Sequence, residues 1–183
     1  MTLLGPELAA PEGTAQSEYE ARAVAYFDIL GWKAACKDLG QSRIVGATAR
    51  ILSGIAKSHT EDGVAAMKNS GGIIAAAGEK FFTQHLKVQI SAFSDNIALS
   101  MPVTDAPELL SRTAQLCRAL LSYGFLTRGG ITIGEVYHKE GVIFGPALID
   151  AVALEQTASL PRVLCSPNLS AHLASIGKTR GYP

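Results

Sequence analysis

The stretch Ala25-Tyr26-Phe27-Asp28-Ile29-Leu30-Gly31-Trp32 decides how this chain is read. It is an apolar run broken by one carboxylate and closed by a glycine. The run predicts a strand over residues 22–28 that stops at Gly31. An unpaired buried charge is costly, so Asp28 calls for a partner or a metal ion. A second stretch repeats the pattern: Ile90-Ser91-Ala92-Phe93-Ser94-Asp95-Asn96-Ile97-Ala98-Leu99. Here two apolar runs meet at Ser94-Asp95-Asn96, a hairpin signal with Asp95-Asn96 in the turn. Taken alone, Asp28 reads as the cap of the next helix and Asp95 as an ordinary turn residue. Taken together, they read as oxygen donors for one divalent-cation site.

Outward from these stretches, apolar residues from Ala34 to Ile55 fit helical spacing over residues 33–57, in two pieces split near Gly40. Residues 60–72 are polar and read as loop with some helix. Ile73 to Ala77 reads as a short strand or a buried turn. Asp105-Ala106-Pro107-Glu108 predicts a helix start with Asp105 as the cap, and the helix runs to about Gly124. Arg128 to Val136 reads as a strand punctuated by Gly129 and Gly130, a pair that fits a bulge. Phe144-Gly145-Pro146 leads into a helix to about Ser159. Residues 162–165 form a last short strand, and Ser166-Pro167 opens a helical stretch to Leu173. The order predicts an α+β fold, a ferredoxin-like βαββαβ core with its sheet covered by helices on one face.

The 183 residues suit one domain with a sizeable core. Residues 1–20 read as a flexible N-terminal arm, 21–175 as a single domain and 176–183 as a C-terminal tail. The formal net charge is zero, which argues against a nucleic-acid partner. No apolar run is long enough to span a membrane and no signal pattern opens the chain. Cys36, Cys117 and Cys165 are far apart and read as reduced packing residues of a cytoplasmic protein. The four histidines show no metal spacing and read as surface or core residues.

In such a core the first and third strands are neighbours at the centre of the sheet. Asp28 and Asp95 would then converge, and two carboxylates with the Ile29 carbonyl suit Mg²⁺ or Mn²⁺. The turn Leu30-Gly31-Trp32-Lys33 opens a helix whose free N–H groups could meet a phosphate. Metal and helix start together fit a triphosphate. Arg128 reads either as a phosphate ligand or as a surface residue preceding a strand.

In order and spacing these segments resemble the class III nucleotidyl cyclase catalytic domain. The matching pieces are Phe27 to Trp32, the hairpin Phe93-Ser94-Asp95-Asn96, the strand Arg128 to Gly134, and Phe144-Gly145-Pro146-Ala147-Leu148. The resemblance spans roughly Val24 to Cys165. Within that family the wording is most similar to the bacterial Pycsar pyrimidine cyclases of anti-phage defence. It implies conversion of UTP, or CTP, to the 3′,5′-cyclic monophosphate and pyrophosphate. It also implies that Asp28, Asp95 and the Ile29 carbonyl hold two divalent cations, Mn²⁺ or Mg²⁺. Phe27 to Trp32 would wrap the triphosphate, and Lys33 or Arg128 would stabilise developing charge. The resemblance further implies a homodimer with sites at the interface and a separate effector that senses the product.

The chain also departs from the family. Ser91 stands where adenylate cyclases carry lysine, and Val142 where they carry an acid or threonine. Ile149 and Ala153 stand where the family's ribose-binding asparagine and transition-state arginine fall, with Asp150 one position off. Ser91, Val142 and Arg50 are the candidates to line a rewritten base pocket. Two other readings stay open: a purine cyclase with an unusual pocket, and a catalytically silent domain that binds nucleotide or mediates dimerisation.

Overall fold

A computed structural model describes residues 18–38, 45–46, 49–50, 53, 61–70 and 86–179. Strand β1, Glu20–Leu30, is followed by helix α1, Trp32–Lys37, and helix α2, Glu61–Asn69. Strands β2, Gln89–Phe93, and β3, Asn96–Pro102, form a hairpin. A single 3-10 turn leads into α3, Ala106–Ser122. Then come β4, Leu126–Lys139, and β5, Val142–Phe144, followed by α4, Pro146–Thr157. Strand β6, Val163–Cys165, and helix α5, Pro167–Thr179, complete the order. Residues 1–17 of the expected arm, the helix split near Gly40, the 73–77 strand and residues 180–183 lie outside the described residues.

The sheet order is β2-β3-β1-β4-β5, with β6 pairing in parallel to β4. Strand β1 is antiparallel to β3 on one edge and to β4 on the other. Side chains alternate across a strand, and β1 uses both faces. Ala23, Ala25, Phe27 and Ile29 enter the main core with Ala35 of α1, Leu109, Leu116 and Leu120 of α3, and Leu169 of α5. Val24 joins Val136, Ala147 and Ala151 in a second cluster beneath α4, with Tyr26 against it. Helices therefore cover both faces, not the one face expected. A solitary strand run cannot show this, because burial on the second face is supplied by a helix more than a hundred residues later.

Gly129 and Gly130 are not a bulge. They pair in continuous register with Phe27 and Tyr26. A Cβ at Gly129 would lie 2.4 Å from the Tyr26 carbonyl oxygen, and one at Gly130 would lie 2.4 Å from the Ala151 carbonyl oxygen. The second glycine lets α4 lie close on the sheet, where Ala147 and Ala151 face Gly134 and Gly130.

Other boundaries shift for physical reasons. Asp105 occupies the cap position of α3 but makes no side-chain cap bond. Its carboxylate instead pairs with Lys87 Nζ at 3.0 Å. Helix α5 continues through the expected tail to Thr179, beyond Leu173. Cys36 and Cys165 are exposed, so they are not the packing residues expected. Among the described residues no helix is long and apolar enough to cross a membrane.

Gly130→Ala is expected to lower stability by about 2 kcal/mol or more, because the added methyl meets backbone that cannot yield. Urea denaturation of the two proteins checks this, and an unchanged midpoint would contradict the close packing of α4.

Candidate active site

Register puts the polar side chains in one row. Asn96, Asp28 and Arg128 are Cα partners across β3, β1 and β4. Directly paired residues project to the same face, so all three stand on the α4 side with Tyr26. The Tyr26 hydroxyl donates to Asn96 Oδ1. Asn96 Nδ2 in turn donates to Asp95 Oδ1 at 3.2 Å.

The hairpin brings Asp95 to this row. Phe93 pairs with Asn96, which leaves Ser94 and Asp95 as the two turn residues. The turn is thus one residue earlier than expected, and Asn96 begins β3. Ser94 takes the left-handed φ of 57° that so tight a turn demands. The Ile29 N–H donates to the Asp95 carbonyl oxygen at 2.8 Å and ties the turn to the end of β1. In extended backbone the Ile29 carbonyl leaves the strand on that same side.

Asp28 does not cap the next helix. Gly31 does, at φ 82° and with no side-chain cap bond. Partial burial raises the Asp28 pKa, and the charges of Asp95 and Glu155 raise it further. Arg128 and the Ile29 N–H oppose that shift. Burial first, then the charges of Glu155, Asp28 and Asp95, also raise Tyr26 and keep its phenol neutral.

Glu155 was not legible as a site residue. It is buried on α4, and its Oε1 accepts from Arg128 Nε at 2.5 Å. One signal for it exists in the sequence: Ala147, Ala151 and Glu155 fall four apart on one helical stripe. That stripe runs along Gly134 and Gly130 and ends where β4 presents Arg128.

The remaining expected residues scatter. Phe27 and Ile29 point their side chains into the core, so only their backbone can meet a ligand. Leu30 is half-buried, and Trp32 packs on Phe125 with ring centroids 5.5 Å apart. Gly31, Lys33 and Arg50 are exposed, Lys33 on a six-residue helix. Such a short helix offers only a weak dipole to a phosphate. Val142 is exposed on β5.

Ser91 lies elsewhere on the α4 side. It lines a cleft of about 320 Å³ with Tyr26, Phe93, Asn96, Gly141, Ile143 and Leu148. Asp150 and Ala153 line a different hollow, of about 470 Å³, with Thr132 and Asn168. Ile149 is 69% exposed.

Among the described residues no group of three or more His, Cys, Asp or Glu side chains is arranged to hold a metal ion. Asp28 and Asp95 nevertheless suit a hard divalent cation. Both are oxygen donors, they repel one another, and the nearest cation, Arg128, is engaged by Glu155.

No protein-family profile matches this sequence, and no curated protein matches it. Among solved structures the chain is similar to a bacterial light-regulated adenylyl cyclase. The TM-score is 0.54 at 14% identity, covering 84% of this chain and 45% of that one. The chain therefore spans less than half the length of that structure. The shared property is the fold: the domain is cyclase-like in architecture.

Two measurements test the electrostatics. An acid with a raised folded-state pKa resists ionisation in the folded protein. Its charge weakens folding above that pKa, and the penalty fades as pH falls toward the ordinary value of 3.8. Asp28→Asn should therefore raise Tm at pH 7, with the difference from wild type shrinking toward pH 4. Scanning calorimetry across that range reads it. Separately, Arg128→Met should cost about 2 to 3 kcal/mol by leaving Glu155 buried and unpaired. Adding Glu155→Gln should restore part of that loss in a double-mutant cycle.

Proposed function

We propose that this domain is a nucleotidyl cyclase that converts a pyrimidine nucleoside triphosphate, UTP or CTP, to its 3′,5′-cyclic monophosphate. The observation that carries the reading is the convergence of Asp28 and Asp95 at the end of β1 on a cyclase-like fold. Two carboxylates held together against their own repulsion are the mark of a site kept for chemistry rather than stability. The pyrimidine preference and the anti-phage role, with a separate effector for the product, rest on the sequence resemblance.

Asp28, Asp95 and the Ile29 carbonyl are the groups that would hold Mn²⁺ or Mg²⁺. Two such cations would neutralise the triphosphate and acidify the ribose 3′-hydroxyl. The 3′-oxygen bonds to the α-phosphorus, the bond to the bridging oxygen breaks, and pyrophosphate leaves. Tyr26 and Asn96 hold the Asp95 carboxylate in place through their hydrogen-bond chain. Arg128 lends positive charge beside Asp28 while Glu155 anchors its guanidinium. Exposed apolar side chains at Phe93, Val142, Phe144 and Ile149 support a homodimer, since a partner would cover them.

One observation favours a second reading. Ile149 and Ala153 offer no polar group, and Arg128 is already engaged by Glu155. A catalytically silent nucleotide-binding domain would look the same there.

Incubation with each nucleoside triphosphate and Mn²⁺, followed by mass spectrometry, separates the two. A 3′,5′-cyclic nucleotide is expected, and Asp28→Asn or Asp95→Asn should reduce it by roughly a hundredfold or more. Mn²⁺ alone should raise the Tm of the wild type but not of Asp28→Asn. Nucleotide binding without product would favour the silent domain, and no metal-dependent shift would remove the metal assignment.

A further inference from the structure

Away from the aspartates, one cleft combines apolar walls with positive charge that the chain leaves unanswered. It has a volume of about 330 Å³ and lies between the C-terminal end of α3, the start of β4 and the start of β6. Thr127 lines it, pairs with Ile29 and so stands on the α3 side of the sheet. The next residue, Arg128, projects to the α4 side, because side chains alternate along a strand. The cleft therefore shares strand β4 with the aspartate site but opens on the opposite face.

Its walls are Leu121, Phe125, Leu126 and Val163. Phe125 is buried, while Leu121 and Leu126 are about half exposed. Inside, the Thr127 side chain hydrogen-bonds the Cys117 thiol, so these two polar groups answer one another. Two arginines border the cleft, Arg118 from α3 and Arg162 just before β6. The Arg162 carbonyl oxygen accepts from the Gly129 N–H at 3.0 Å, which pins its backbone to β4. Arg22, Arg112 and Arg128 each have a carboxylate partner, in Glu20, Glu108 and Glu155. Among the described residues Arg118 and Arg162 have none.

These features select by chemistry. Two guanidinium groups repel a cation and offer a carboxylate forked pairs of donors. Apolar walls reward the removal of hydrocarbon from water. The volume is at the small end of the range for ligand pockets and suits one small molecule. A compact polar anion would gain from the arginines alone, and a neutral hydrocarbon from the walls alone. A molecule with both parts gains from both.

We propose that this cleft binds a small amphiphilic carboxylate, its apolar chain against Leu121, Phe125, Leu126 and Val163 and its carboxylate held by Arg118 and Arg162. The site is separate from the aspartate pair and does not depend on the cyclase reading.

The test titrates the full chain with decanoate in isothermal titration calorimetry. Decanoate should bind roughly tenfold more tightly than octanoate, since two further methylenes leave water. Decanol, which lacks the charge, should bind more weakly than decanoate, and decyltrimethylammonium should not displace it. Arg118→Gln and Arg162→Gln should each weaken decanoate roughly threefold to tenfold. Both arginines are exposed, so the variants keep the fold. Asp28→Asn should leave the decanoate affinity unchanged. Cys117 reports the location. Iodoacetamide at mildly alkaline pH alkylates thiolates, and mass spectrometry reads each cysteine separately. Decanoate should slow alkylation of Cys117 while the exposed Cys36 and Cys165 keep their rates. No decanoate binding, equal binding of decanol, or an affinity that survives the double arginine variant would each overturn the proposal. So would Cys117 alkylation that ignores decanoate, or equal slowing at all three cysteines. Decanoate binding with no cyclic nucleotide formed would leave this site standing and remove the cyclase reading.

Discussion

Strand β1 is hydrogen-bonded along both edges and covered on both faces, and the rest of the domain is arranged around that constraint. Such a strand can carry almost no polar side chain, and within it only Arg22, Tyr26 and Asp28 depart from small or apolar residues between Ala21 and Leu30. Each is answered by a specific neighbour. Arg22 finds Ser100 and two backbone carbonyl oxygens, Tyr26 finds Asn96, and Asp28 meets Arg128 across the sheet. All three project toward the α4 side, so the strand separates an apolar core from a face that carries its polar side chains.

Helix α4 decides how deep that face is. Small residues at Ala147 and Ala151 set it down on Gly134 and Gly130, and the same stripe then delivers Glu155 to Arg128. The result is a partly desolvated group of three carboxylates and one arginine. Folding gains little from such a group, since Asp28 is held against its own preference for neutrality. Stability and the proposed chemistry pull on Asp28 in opposite directions, which is the common bargain at a working site.

Much of this was legible in the residues. The apolar run ending in Asp28, the hairpin that carries Asp95, the amphipathic helix after Asp105 and the strand after Arg128 all form. Errors cluster where a distant group competes with a local rule. Asp105 has the type and place of a cap, yet Lys87 takes its carboxylate. Gly129-Gly130 has the look of a bulge, yet the pair keeps register because Tyr26, Phe27 and Ala151 need the room. His138 gave no sign of a role, because its partners Ser91 and Ser100 lie on other strands 47 and 38 residues away.

The sequence by itself determined the strand around Asp28, the hairpin that carries Asp95, the helix after Asp105 and the strand after Arg128, because side-chain periodicity and turn chemistry act over a few residues. Only the tertiary structure decided which groups share the site. Cross-strand register sets Asn96, Asp28 and Arg128 in one row, helix docking brings Glu155 to it, and hydrogen bonds tie Ser91, His138 and Ser100 together from three strands. Those are relations between segments far apart in the chain, and no local pattern encodes them.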